Sequence, residues 1–234
     1  MIEAVVFDLD GVLLDSEHVW DDVREELARE RGGRWHEGAQ ADMMGMSSTE
    51  WSQYMRDVIG LLGSPAEINA EIVLRMQKRY AEHLPLMAGA VAAVQRLSGA
   101  FKLGLASSSN RPLIDAVLSG AGLASLFEAT VSSEEVERGK PSPDVFVETV
   151  RRLGVGPEQC AAVEDSGNGI KAAHAAGMLV VAIPNRRYPP PEDVLALAAV
   201  VLDSLVDLTI EAVAGRPTPR GHHPPPRNER NAAT

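Results

Sequence analysis

Phe7-Asp8-Leu9-Asp10-Gly11-Val12 decides how this chain of 234 residues is read. The run Ala4–Phe7 is wholly apolar and ends against two carboxylates spaced two apart. A short apolar run of this kind suits a strand buried on both faces of a parallel sheet. An aspartate at its carboxyl end stands where open α/β sheets carry their sites. Asp8 has the chemistry of a nucleophile, because a carboxylate can attack phosphorus and form an acyl phosphate. Asp10 can protonate a leaving oxygen and later deprotonate water. Gly11 permits a sharp turn after the strand. Taken alone, the same residues also describe an ordinary strand-ending turn.

Further apolar runs lie at residues 103–106, 160–163, 179–183 and 199–202, with a weaker one at 129–131. Helical patterns separate them. Residues 143–153 place Val145, Phe146, Thr149, Val150 and Leu153 on one side, with Ser142 read as the cap, Pro143 as a first-turn proline and Gly154 as the stop. Residues 167–176 read as a small-residue helix ended by Gly177. The alternation predicts an α/β fold with a doubly wound, mostly parallel sheet.

Residues 16–84 break that rhythm with three helical stretches and no strand-like run. Trp20, Val23 and Leu27 share one face, and Trp51, Tyr54, Met55, Val58, Ile59 and Leu62 share another. Ile68, Ile72, Met76 and Tyr80 recur at spacing four. Ser47-x-x-Glu50 and Ser64-x-x-Glu67 read as capping boxes. One strand before this stretch and a strand series after it imply an inserted helical subdomain. Residues 1–15 and 85–214 then form the α/β core and 16–84 the insertion; helices covering one face of the sheet are the alternative. The tail 215–234 is rich in Pro, Arg, His and Asn and is expected to be disordered, with His222-His223 solvated.

The formal charge is 22 minus 33, or −11. Such a chain is not expected to bind nucleic acid or anionic membranes through its bulk field, and a phosphate site on it needs local cations. Cys160 is the only cysteine, so no intramolecular disulfide can form, which fits a reducing cytoplasm. The first apolar run is too short for a signal peptide or membrane span.

Three more segments follow predicted strands. Ala106-Ser107-Ser108-Ser109-Asn110 offers hydroxyls and N–H groups at a helix start, as an anion site or an ordinary cap cluster. Gly139-Lys140-Pro141-Ser142-Pro143-Asp144 holds one lysine on a constrained loop, able to neutralise a phosphoryl group or simply solvated. Glu164-Asp165-Ser166-Gly167-Asn168-Gly169 sets adjacent carboxylates at a strand end, suited to a hard cation such as Mg²⁺ or to a helix cap.

The order of Phe7-Asp8-Leu9-Asp10-Gly11-Val12-Leu13-Leu14-Asp15-Ser16-Glu17, Ser107, Gly139-Lys140-Pro141-x-Pro143-Asp144 and Glu164-Asp165-Ser166-x-x-Gly169 resembles the haloacid dehalogenase superfamily. The match is to its β-phosphoglucomutase-like and phosphoglycolate-phosphatase-like branch, whose core carries an inserted helical cap. The resemblance spans residues 1–213 and implies a Mg²⁺-dependent phosphatase acting on a small phosphorylated metabolite through an aspartyl phosphate. It implies Asp8 as nucleophile and metal ligand, and Asp10 as general acid/base that also binds the metal through its carbonyl. Ser107 and Lys140 would hold the phosphoryl group, Asp165 would complete the metal site and Glu164 would support it. Ser108, Asn110 and Arg111 are candidate substrate contacts, and Met43, Met44 and Met46 in the insertion loop are candidates to face the substrate. A monomer or weak homodimer is expected.

Asp10 argues against a true dehalogenase, which lacks that carboxylate and needs no Mg²⁺. A sugar-phosphate mutase is the alternative, but the relatives of that kind carry a histidine where this chain has Trp20, with His18 two residues off register. They also carry a loop arginine that Gly45-Met46-Ser47-Ser48-Thr49 does not supply. Lys78 lies too late in the insertion to act as the Schiff-base lysine of the phosphonate-cleaving relatives, and His174 reads as structural or exposed. A non-catalytic binding protein on the same fold is the third reading.

Overall fold

The computed structural model describes residues 1–43 and 46–214; the tail 215–234, and Met44 and Gly45 in the insertion, lie outside the described residues. Six strands form one parallel sheet: β1 (Ala4–Phe7), β2 (Lys102–Ser107), β3 (Ala129–Ser132), β4 (Cys160–Glu164), β5 (Leu179–Ala182) and β6 (Val200–Val201). Their spatial order is β3-β2-β1-β4-β5-β6. β1 pairs with both β2 and β4, Ala4 facing Lys102 on one side and Cys160 on the other. The winding therefore reverses between β1 and β4, and a crevice opens at the carboxyl ends of these two strands.

The apolar runs are strands because helices cover both faces of the sheet. Val5 and Phe7 of β1 join the core built with α5 (Ala90–Ser98) and α6 (Arg111–Gly120). Ala4 and Val6 join the opposite core with α7 (Asp144–Leu153), α8 (Gly167–Ala175) and α9 (Glu192–Leu195). Adjacent side chains of one strand thus enter different cores, as the two-residue repeat requires. A short α10 (Ile210–Val213) contributes Ala212 and Val213 to the first core.

α7 (Asp144–Leu153) starts differently from the expected 143–153. Pro143 occupies the cap position, and Ser142 donates its hydroxyl to the Asp144 carboxylate at 2.7 Å instead of capping. The expected stop holds: Gly154 ends the helix with φ 68°.

Between β1 and α5 lie four helices, α1 (Glu17–Glu30), α2 (Ala39–Met43), α3 (Ser48–Asp57) and α4 (Pro65–Glu82). Both expected capping boxes are present, Ser47 with Glu50 and Ser64 with Glu67. The five-residue α2 is too short to show periodicity, so only three helices were legible. The shared face read through Val58 and Leu62 is corrected: α3 stops at Asp57, and both residues are exposed while Ile59 turns inward. Gly60 and Gly63, at φ 85° and 111°, carry the chain through that turn.

The insertion leaves and returns through adjacent segments. The Asp15 N–H donates to the Pro85 carbonyl at 2.9 Å, and the Met87 N–H donates to the Leu13 carbonyl at 2.9 Å. Side-chain contacts also cross to the core: Ser48 donates to Glu134 at 3.2 Å and Asn110 donates to Asn69 at 3.1 Å. Among the described residues, no helix is long and apolar enough to cross a membrane.

Gly104, in mid-β2, shows how tightly α7 lies on the sheet. A Cβ there would stand 2.7 Å from the Thr149 methyl and 3.0 Å from a Leu153 methyl. Gly104→Ala is expected to cost about 1–3 kcal/mol by overpacking. Urea unfolding checks this, and an unchanged midpoint would contradict the packing described.

Candidate active site

β1 ends at Phe7, so Asp8 is the first residue beyond it, and its N–H still donates to the Val163 carbonyl of β4 at 3.0 Å. Neighbouring β4 ends in Glu164, with Asp165 next. Parallel pairing in register thus brings three carboxylates together: Asp8, Glu164 and Asp165 each offer an oxygen within 4.8 Å of the others. All three residues are buried.

Two glycines make this approach possible. A Cβ on Gly11 would stand 1.9 Å from an Asp165 oxygen, and one on Gly169 would stand 1.8 Å from a Glu164 oxygen. No side chain fits at either position while the carboxylates hold their places. Glu164 is also anchored through its second oxygen, which accepts the Asp165 and Ser166 N–H groups at 3.0 and 3.2 Å.

Lys140 reaches this cluster from the loop before α7. Its ammonium donates to Asp8 Oδ1 at 2.6 Å, to Glu164 Oε1 at 2.5 Å and to the Ala106 carbonyl at 3.0 Å. The Phe146 ring lies beneath it, 4.9 Å from Nζ. Burial alone would lower this lysine, yet Asp8 and Glu164 hold it above its ordinary range. Were all three carboxylates ionised, one cation would leave the cluster two charges negative. The imbalance shows in the acids. Burial raises the Asp8 carboxyl to about 8, helped by Glu164 and Asp10 and opposed by Lys140. Burial, with Glu164 and Asp8 alongside, likewise raises Asp165 well above the carboxylate range. A closely packed, all-oxygen donor set whose acids resist ionising together fits a hard divalent cation.

Asp10 stands apart from the cluster and is held by three donors. Ser16 and Trp20 bond Oδ1 at 2.6 and 3.1 Å, and Ser109 bonds Oδ2 at 2.6 Å. Ser16 and Trp20 belong to the chain entering the insertion, so the orientation of this carboxylate depends on both parts of the molecule.

A cavity of about 100 Å³ opens above these groups, walled on the core side by Asp8, Asp10, Ser108, Lys140 and Asp165. The insertion supplies Trp20, Arg24, Gln40, Trp51, Met43 and Met46; the third methionine expected there, Met44, lies outside the described residues. Ser107 ends β2 just behind the wall; its oxygen accepts the Ser109 N–H at 3.0 Å. The Ser108 hydroxyl is buried on the wall without a partner.

Two candidate contacts are engaged elsewhere. Asn110 donates to Glu134 at 2.6 Å as well as to Asn69, linking core to insertion. Arg111 is taken up by Glu135 and by Thr130, whose hydroxyl it meets at 2.8 Å. His18 is exposed beside Asp15, and Lys78 and His174 are exposed, far from any role in the cavity.

Sequence reasoning passed over Arg24, Gln40 and Asn185. Asn185, after β5, donates to Glu17 at 2.8 Å and to Asp165 at 3.3 Å, and no local pattern marks it. Arg24 did carry a signal: it falls on the apolar face that Trp20, Val23 and Leu27 define, where an arginine is out of place.

Comparison with known proteins places the chain in a family. The family model for haloacid dehalogenase-like hydrolases matches residues 2–177. Hexitol phosphatase B of Escherichia coli K12 is 32% identical over 228 residues, covering 92% of this chain and 97% of that protein. The chain spans about half (55%) of the bifunctional riboflavin kinase/FMN phosphatase of Arabidopsis thaliana, to which it is 29% identical over 89% of its own length. The crystal structure of β-phosphoglucomutase from Clostridium difficile superposes with a TM-score of 0.79 at 25% identity, over 92% of this chain and 96% of that one. The chain belongs to the haloacid dehalogenase-like hydrolase family.

Proposed function

We propose that this enzyme, a phosphoric monoester hydrolase, removes phosphate from a small metabolite through an aspartyl phosphate on Asp8. The observation that carries the reading is Lys140 bonded at once to Asp8 and Glu164, with Asp10 held separately beside the same cavity. Lys140 takes Asp8 Oδ1, which leaves Oδ2 as the attacking oxygen. That oxygen bonds to phosphorus as the ester P–O bond breaks, and protonated Asp10 delivers its proton to the departing alkoxide. Asp10, now a carboxylate, takes a proton from water as that water attacks phosphorus and frees Asp8. Ser16, Trp20 and Ser109 keep Asp10 in one orientation through both steps. Lys140 and the hydroxyls of Ser107 and Ser108 seat the phosphoryl oxygens.

Asp8, Asp165 and the Asp10 carbonyl are the residues to hold Mg²⁺, with Glu164 fixing Lys140 and Asp165 beside it. Bound there, the ion supplies Lewis-acid charge to the phosphoryl oxygens. The inserted helices act as the cap, closing the cavity against water and selecting the substrate. The resemblance to a β-phosphoglucomutase keeps a mutase as the second reading. Trp20 weighs against it: the indole fills the position of the mutase histidine and is already committed to Asp10.

With p-nitrophenyl phosphate and Mg²⁺, Asp8→Asn is expected to abolish turnover, and Asp10→Asn to lower it by about 10²–10⁴. Wild-type turnover by Asp8→Asn would sink the mechanism. Given β-glucose 1-phosphate and a bisphosphate activator, the enzyme should release free phosphate; formation of glucose 6-phosphate would favour the mutase.

The raised acids also set a pH dependence. Without metal, the folded protein retains protons on Asp8 and Asp165 that the unfolded chain releases above about pH 4. Rising pH therefore favours unfolding until about 8, where Asp8 itself ionises. Mg²⁺ displaces those protons, so its stabilisation should grow with pH. Thermal melts at about pH 5.5 and 8.5 test this: a larger Mg²⁺ shift at the higher pH is expected, and an equal or smaller one would contradict the metal assignment.

A further inference from the structure

Arg24 is a charged residue of the cavity wall that the proposed chemistry does not use. It projects from the apolar side of α1 and is 4% exposed. Its guanidinium packs against two indoles, 4.6 Å from the Trp20 ring and 4.9 Å from the Trp51 ring, whose centroids are 5.9 Å apart. The two rings meet it from neighbouring sides, too close together to enclose it, and its N–H donors are left to find a partner. One donor reaches the Gln40 side-chain oxygen at 3.1 Å. Nε is buried with no partner, and no carboxylate forms an ion pair with Arg24 among the described residues.

A buried, unpaired cation is costly, and packing does not explain this one. A hydrophobic residue of similar volume would pack beside the tryptophans without that cost. The strain appears in the ionisation: burial pushes the guanidinium down to about 9, only partly offset by Asp10 and Asp21. An arginine kept for structure has its donors satisfied by protein groups. This one lacks its counter-charge while lining the same cavity as Asp8, Asp10 and Lys140.

We infer that Arg24 supplies the specificity subsite for the far end of the substrate, and that this end carries an oxyanion, either a carboxylate or a second phosphate. The inference rests on the phosphatase reading and narrows it to doubly anionic small phosphomonoesters. The ester phosphate sits at Lys140, the distal anion meets the donor edge of Arg24, and the small cavity limits the chain between them. Trp20 connects the two ends physically. Its ring covers Arg24 while its N–H holds Asp10, so filling the distal subsite also steadies the general acid. Arg24 touches the substrate without taking part in bond making. A neutral sugar hydroxyl would satisfy a donor but leave the charge uncompensated.

The test compares three esters of one three-carbon chain: terminal glycerol phosphate, phosphoglycerate phosphorylated on its terminal hydroxyl, and glycerol phosphorylated at both ends. They differ only in a distal hydroxyl, carboxylate or phosphate. The wild-type protein with Mg²⁺ is expected to show the highest kcat/KM for one of the two doubly anionic esters, which identifies the anion. In Arg24→Met, the ratio of that kcat/KM to the value for glycerol phosphate should fall about 10- to 100-fold. Arg24→Lys keeps the charge without the planar fork and should fall less. Melting temperatures accompany both variants; Arg24→Met should melt no lower than wild type, because no ion pair is lost. A ratio unchanged in both variants, or a wild-type preference for glycerol phosphate, would overturn the inference. Asp8→Asn separates this from failure of the phosphatase reading: it should lose turnover on all three esters, and retained turnover would strike the parent reading instead.

Discussion

The bond set on Lys140 is the constraint around which the molecule is arranged. A single buried ammonium bridges Asp8 at the end of β1 and Glu164 at the end of β4. Three backbone decisions have to agree for that bridge to exist. The two strands must pair in parallel register, the Lys140 loop must return over them from β3, and Gly11 and Gly169 must leave room for the carboxylates. Because the charges are buried, losing one partner exposes the others to an unpaid desolvation cost of several kcal/mol. The same arrangement overshoots: with Asp165 included, one cation faces three carboxylates. What is strain for the metal-free fold would be affinity for a divalent ion, so on the proposed reading folding and cofactor binding draw on one electrostatic feature.

Much of this was legible in the residues. Ala4–Phe7 and the other apolar runs announced a two-sided parallel sheet because a strand covered by helices on both faces has no polar face to show. The chemistry-bearing residues were legible for a related reason. In such a sheet the strand ends converge at the switch point, so Asp8, Ser107, Lys140, Glu164 and Asp165 could be grouped before any distance was known.

The insertion was harder to read. Its long helices declared themselves through period and caps, but the turn after Asp57 redirected Val58 and Leu62 to solvent, and α2 is shorter than one helical repeat pair. The partners of Asn110 and Arg111 lie 24 residues downstream at Glu134 and Glu135, a pairing fixed by tertiary geometry alone. In the sequence Trp20 reads as part of an apolar helix face and as a departure from a histidine. Its bond to Asp10 turns that departure into a feature: a side chain of the insertion holds the carboxylate proposed as general acid.

The account's central claim is that Asp8 carries the phosphoryl group between two half-reactions. Intact-protein mass spectrometry of Asp10→Asn, mixed with p-nitrophenyl phosphate and Mg²⁺, addresses it most directly. The good leaving group needs little acid assistance, whereas release of the phosphoryl group needs the base that the variant lacks. A species about 80 Da heavier, mapped to the peptide containing Asp8, is the predicted result. Steady release of p-nitrophenol with no such adduct, undiminished when Asp8→Asn is added, would contradict it.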